Sequence, residues 1–415
     1  MSLPVKGTFL LSYFILLHFV SYALPSTADS LSSVDSLKKN TLDVVKQKDL
    51  PDIIRQVFHL KPAPTPNEVK IPGKLLFAVV PGLGYTIQTG FTGVTTFNIS
   101  FYVDSTANAN LSTIRAAPEA SFTHGQILLP LTLDLWSKGN KYNWLADWHY
   151  YKYPTYTFGL GGHSKLSNAD FVSYDYIRAY QEVLQQVKPD LFIGFGYNLD
   201  IHDNIYEAGL GNEIVTDYRK YSGNVTTTTS SGPSVHLLYD KRRNSNNPES
   251  GEFYSFFYRP NLKVLGSDQN YQCVIVDLRK YISFSKNRIL AFWNYNWLTF
   301  GGNAPYFDLP FTQGDTYDNI GRGYIQGRFT APMMLYYEAE YRFGILRNGL
   351  IGGVAFANAQ CMSEWPSGKF DTINPGAGIG LRLKVNKYSR VNFALDYGWG
   401  LQGSQGFFFD LGEMF

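Results

Sequence analysis

Five histidines stand in the body of the chain, His124, His149, His163, His202 and His236, and two adjoin a residue that could share a proton, in His163-Ser164 and His202-Asp203. Acid–base chemistry needs both groups within hydrogen-bond reach. Neighbouring residues of a strand point to opposite faces, so neither adjacent pair makes a ready couple. Gly159-Leu-Gly-Gly162 has no phosphate-loop lysine and no strand-to-helix setting, and reads as a strand end. No Gly-x-Ser-x-Gly elbow precedes the strands. Cys273 and Cys361 fall in separate expected strands, where a disulfide or two unpaired thiols are both open, and no cysteine and histidine share metal-ligand spacing. The expectation is a protein that is not an enzyme and carries neither metal nor cofactor.

The elements around these residues are strands. Tyr337, Ala339, Tyr341, Phe343 and Ile345 alternate with Glu338, Glu340 and Arg342, as a strand with lipid on one face and a wet lumen on the other requires. Val391-Asn-Phe-Ala-Leu-Asp-Tyr-Gly-Trp399 repeats the pattern, and near the other end Phe91, Gly93, Thr95, Phe97, Ile99, Phe101 and Val103 share a face. A β-sandwich would not place aromatics outward strand after strand. With 16% aromatic residues and 38 glycines the chain is rich in strand and turn formers. A mean hydropathy of −0.17 excludes a bundle of membrane helices. Lysine and arginine number 36 against 34 acids, a balance that gives no reason to expect nucleic acid.

The predicted fold is all-β: a transmembrane antiparallel β-barrel of about sixteen strands, an even number with both termini periplasmic. The short segment 155–161 is merged into the strand before it. Arg347-Asn348-Gly349 supplies a tight periplasmic turn. Glu207 to Gly232 and Gly301 to Ala331 are long and polar or glycine-rich, as extracellular loops are.

Three regions follow. Residues 1–23, with Lys6 before the apolar run Phe9 to Val20 and small residues at Ser21 and Ala23, read as a signal peptide. Residues 24–73 read as a periplasmic segment with one short helix, in which Pro51 suits the first turn and Ile53, Ile54, Val57 and Leu60 share a face. That face needs a partner, either the barrel's periplasmic mouth or another protein. Residues 74–415 are the barrel.

Four stretches together resemble the bacterial surface antigen superfamily, the BamA/TamA-type outer-membrane barrels, most strongly over residues 230–415. Tyr239-Asp-Lys-Arg-Arg-Asn-Ser-Asn-Asn-Pro-Glu-Ser-Gly251 is similar to the family's hairpin turn, and Asp277-Leu-Arg-Lys-Tyr-Ile282 with Arg288-Ile-Leu-Ala291 to its next strand pair. Gly321-Arg322-Gly323-Tyr324 matches the Arg-Gly-aromatic signature of the sixth extracellular loop. Phe407-Phe-Phe-Asp-Leu-Gly-Glu-Met-Phe415 resembles the closing strand, with Phe407, Phe409, Leu411 and the aromatic end Phe415 as its marks.

The resemblance implies that the long loop folds into the lumen and that Arg322 pairs there with Glu340, beside Glu338. The family's aromatic-x-aspartate pattern one strand later is Phe356-Ala-Asn358 here, so the resemblance leaves the ionic part of the clasp to Glu340, with Asn358 as a hydrogen-bond acceptor. Residues 24–73 leave no room for POTRA modules, so a member without them is expected. Its implied work, in the bacterial outer membrane, is to assist assembly or export of outer-membrane protein or lipid through a lateral seam between the first strand and Phe407–Phe415. A passive transport pore and a structural subunit of an envelope complex are the competing classes. Expected partners are outer-membrane lipid and client proteins or envelope subunits at the helix around Ile53.

Overall fold

The protein is described from a computed structural model, which covers residues 47–61, 72–86, 90–105, 110–122, 125–210, 215–242, 244, 247–285, 287–316, 318–387 and 390–415. The proposed signal peptide lies outside these. The strands are β1 Leu76–Thr86, β2 Gly90–Tyr102, β3 Leu111–Ala116, β4 Glu119–Ser121, β5 Ile127–Trp136, β6 Tyr142–Lys152, β7 Thr155–Thr157, β8 Asp170–Lys188 and β9 Leu191–Glu207. They continue as β10 Thr228–Asp240, β11 Gly251–Asn261, β12 Tyr271–Ser285, β13 Arg288–Phe300, β14 Met333–Gly344, β15 Ile351–Met362, β16 Asn374–Lys384, β17 Asn392–Gly400 and β18 Gln405–Leu411. Two short helices, α1 Leu50–Val57 and α2 Asp217–Ser222, complete the main elements.

All 18 segments belong to one sheet. Two of its strands are broken. β3 and β4 both pair with β2 and with β5, so they form one strand interrupted at Ala117-Pro118. β6 and β7 both pair with β8 and form another, interrupted at Tyr153-Pro154, as the merger of 155–161 anticipates. A proline, which cannot donate to a ladder, stands at each break. Eighteen segments less these two breaks leave sixteen staves in an antiparallel meander. Among the described residues the registers start with β1 on β2 and finish with β18 on β17, so these two strands are the ends of the meander.

Side chains sort by face as the alternation requires. On β14 Tyr337, Tyr341 and Phe343 are exposed on the outside while Glu338, Glu340 and Arg342 are buried within. The apolar core sits in the lumen, where Trp293, Tyr295, Tyr324, Phe329, Met334, Tyr336, Met414 and Phe415 form one cluster.

One end of the barrel carries tight turns. At Asn348-Gly349 the glycine adopts φ 72° and its N–H donates to the Leu346 carbonyl at 3.0 Å. Helix α1 docks at this end by its start rather than by its apolar face. Asp49 caps it, accepting from the Asp52 N–H at 3.1 Å, and also accepts from the Lys387 N–H at 3.0 Å. Lys387 Nζ donates to Asp52 at 2.6 Å and the Lys48 N–H to the Asn348 carbonyl at 2.9 Å. Val57, Phe58 and Leu60 remain exposed.

Candidate functional site: the loop clasp in the lumen

The connection from β13 to β14, residues 301–332, turns into the lumen. Gly321 and Gly323 adopt φ of 81° and 106°, left-handed conformations that bring the intervening Arg322 against the wall. A Cβ on Gly323 would lie 2.7 Å from the Trp399 carbonyl oxygen. The wall reciprocates, since a Cβ on Gly398 would meet the Gly323 nitrogen at 2.7 Å and one on Gly376 the Arg322 carbonyl at 2.8 Å. Glycines on the inner faces of β16 and β17 thus form a floor on which loop backbone lies directly. Tyr324 follows, its hydroxyl donating to the Pro375 carbonyl at 2.6 Å and accepting from the Leu401 N–H at 2.9 Å.

Arg322 has no exposed surface and meets three carboxylates, Glu338 and Glu340 on β14 and Asp396 on β17. The Nη2–Glu340 distance is 2.7 Å. The Phe356 ring lies under the guanidinium, 3.7 Å from its centre, a cation–π contact. The charges extend outward from Arg322. Arg342 Nε donates to Glu340 at 2.6 Å, and Arg382 bonds Asp396 and lies 3.6 Å from Glu340. Buried charges persist only when paired and hydrogen-bonded, and removing one partner costs about 3–5 kcal/mol.

The structure brings Gly321, Arg322, Gly323, Tyr324, Glu338, Glu340, Phe356 and Asn358 together, with two corrections to the sequence reading. The ionic part does not rest on Glu340 alone: Glu338 bonds the same nitrogen of Arg322, and Asp396, two strands beyond Asn358, supplies the third carboxylate. Asn358 does not accept a bond in the clasp; its Nδ2 donates to the Arg322 carbonyl at 2.9 Å. Asp396 carried a usable signal, as the acid on the inward face of β17, which it shares with Asn392, Ala394 and Gly398.

An Omp85 superfamily domain profile matches residues 95–415. The chain belongs to the Omp85 superfamily. Among solved structures, BamA from Haemophilus ducreyi lacking POTRA domains 1-3 is similar in fold, with a TM-score of 0.53 at 14% identity over 81% of this chain and 68% of that one. CdiB from Acinetobacter baumannii gives a TM-score of 0.51 at 11% identity over 82% of this chain and 60% of that one, so the chain spans less than two thirds of CdiB. No curated protein sequence matches. The protein is a bacterial outer-membrane β-barrel of this superfamily.

This Omp85 loop has a second, outer anchorage that sequence reasoning missed. Arg328 has no exposed surface, yet its partners are neutral: Ser164 Oγ at 2.8 Å, the Ser164 carbonyl at 2.7 Å and Gln402 Oε1 at 2.7 Å. Burial lowers its pKa to about 10. Nearby, Asp308 of the same loop accepts from Ser230 Oγ at 2.6 Å and Tyr271 at 3.4 Å, with His202 Nδ1 3.8 Å away. Burial, then the charge of Asp200, push Asp308 up to about 7.

Of the adjacent histidine pairs, His202 is buried and stacks on Tyr176 at 4.5 Å, whereas Asp203 faces out and accepts from Thr227. At the outer mouth His163, Glu364 and Asp371 bring potential ligand atoms within 4.8 Å of one another, although Glu364 already accepts from the Gly162 N–H at 2.7 Å. Cys273 and Cys361 are free thiols on β12 and β15.

The closing strand of the Omp85 barrel is shorter than the sequence reading. β18 ends at Leu411, whose backbone pairs with Phe393. Phe407 faces outward and packs edge-on against Tyr397 at 4.7 Å, and Phe409 lies tilted to Phe393 at 6.2 Å. Phe415 was expected to finish this membrane-facing strand; it lies in the lumen instead, 3% exposed and stacked on Trp293 at 5.1 Å. Gly412, at φ 136°, turns the chain out of the ladder, and Glu413 bonds Arg382 Nε at 2.7 Å.

Proposed function

We propose that this barrel assists the insertion, folding or export of protein or lipid at the outer membrane by opening the seam between β1 and β18. The observation that carries the reading is the form of the last strand. β18, Gln405–Leu411, is the shortest uninterrupted stave among the described residues, and after a last bond from the Gly412 N–H to the Asn392 carbonyl at 2.8 Å the chain leaves the sheet. A sheet edge held by few ladder bonds is where a barrel opens most cheaply, and an unpaired edge can template another strand. The loop supports the same reading. With Arg322, Tyr324 and Phe329 buried inside together with Met414 and Phe415, the lumen is packed in a way that favours a lateral route over a wide passive pore. Helix α1, anchored at the periplasmic turns with Val57, Phe58 and Leu60 exposed, offers a contact for a client or an envelope subunit. In this reading the protein performs no catalytic step.

The test is a disulfide engineered between β1 and β18 in cells that depend on the protein, with the outer-membrane proteome and lipid profile as readout. The locked barrel is expected to behave like the depleted one, losing other barrels or surface lipid until a reductant is added. Full function in the locked state would reject the seam.

A further inference from the structure

Residues 413–415 are received in the lumen by a set of fixed side chains. Glu413 sits between two cations and an amide: Oε2 accepts from Arg382 Nε at 2.7 Å and lies 3.7 Å from Arg342 Nε, and Oε1 accepts from Asn392 Nδ2 at 2.7 Å. The Met414 carbonyl accepts from Asn319 Nδ2 of the inward loop at 2.9 Å. The Phe415 main-chain oxygen accepts from Arg342 Nη2 at 2.9 Å, and its ring stacks on Trp293 with Tyr281 6.2 Å away.

Four of the receiving side chains also have a partner outside the tail. Arg342 is held by Glu340, Arg382 by Asp396, Asn319 by Asp410 at 3.0 Å, and Trp293 donates from Nε1 to Asp277 at 2.9 Å. Side chains fixed in this way remain in place when their occupant leaves, which is the meaning of a preorganised site. The occupant is joined to β18 through Gly412, at φ 136°, a pivot rather than a continuation of the strand.

We propose that the lumen carries a binding site for a short peptide segment with a carboxylate two residues before an aromatic ring, filled here by the protein's own residues 413–415 and exchangeable with a separate peptide of the same chemistry. Guanidinium groups read the carboxylate, Trp293 and Tyr281 read the ring, and Asn319 makes the inward loop part of the site. The inference is independent of whether the seam opens.

The experiment uses the barrel ended at Leu411 in detergent micelles, with correct folding checked by heat-modifiable gel mobility. A fluorescent, carboxy-amidated peptide Leu-Gly-Glu-Met-Phe is titrated in and anisotropy is read. Saturable binding is expected, at least about tenfold weaker for peptides with glutamine in place of the glutamate or alanine in place of the phenylalanine, and for the intact chain. A folded, shortened barrel that ignores the peptide, or takes all three peptides alike, would overturn the site. Should the shortened chain not fold, the full chain with Phe415→Ala decides by hydrogen exchange. Faster exchange confined to residues 412–415 supports the site, and unchanged exchange there rejects it.

Discussion

The loop 301–332 buries two arginines six positions apart, Arg322 and Arg328, and holds them by opposite means. At the inner end Arg322 meets three carboxylates, of which Glu340 is also bonded to Arg342 and Asp396 to Arg382. At the outer end Arg328 meets a serine hydroxyl, a carbonyl and an amide, all from extracellular connections. Asp308, also at the outer end, is similarly held by hydroxyl groups. A guanidinium's bonds to carboxylates are stronger than its bonds to neutral oxygens, and a desolvated charge network tolerates no loss of a member. The inner end therefore fixes where the loop sits, and the outer end closes the mouth with contacts that give more easily.

Substitutions can break this contrast in order of size. Arg322→Ala leaves Glu338 buried without a cation and Glu340 and Asp396 with only Arg342 and Arg382, and a loss of about 3–5 kcal/mol is expected. It is read by urea unfolding of the barrel in detergent and as a lower temperature for the heat-modifiable gel shift. Unchanged heat resistance would remove the clasp from the account. Arg328→Ala forfeits hydrogen bonds from one cation to neutral oxygens without stranding a charge, so about 1–3 kcal/mol is expected in the same assay. A larger cost at Arg328 than at Arg322 would invert the comparison.

Protons sharpen it further. The folded barrel raises Asp308 to about 7, so between its ordinary carboxylate value and that point the fold binds a proton that the unfolded chain does not. Stability from this group is present at low pH and is lost as pH rises through about 7. Limited proteolysis of loop 301–332 should accelerate over that interval in the native protein, and Asp308→Asn should flatten the change. An equal pH dependence in the variant would assign it to another group. The smallest effect is expected at the partly exposed Lys387–Asp52 pair, where Lys387→Ala should cost about 0–1 kcal/mol and loosen α1 by hydrogen exchange while leaving the barrel intact.

Much of this architecture was legible because period-two alternation is local. Tyr337 to Ile345 declared both faces of β14, and the glycines flanking Arg322 announced an unusual backbone. What could not be read was partnership across the barrel. Asp396 lies 74 positions from Arg322, and alternation placed it inside without saying which cation it would meet. Arg328 has no flanking glycine pattern and no acid near it in sequence. Phe407, Phe409 and Leu411 continue the outward period to Phe415, and only the turn at Gly412 with the pull of Arg382 on Glu413 diverts the ring inward. The breaks at Pro118 and Pro154 show the same division, since proline announces an interruption but not which strands the pieces share.

The most direct measurement is a double-mutant cycle between Arg322 and Asp396, comparing Arg322→Met, Asp396→Asn and the double variant by urea unfolding from lipid vesicles. A shared desolvated charge pair predicts strong non-additivity, with a coupling of about 1–3 kcal/mol and the double variant costing less than the sum of the single ones. Costs that add to within about 0.5 kcal/mol would contradict the account, because the two residues would then stabilise the barrel independently.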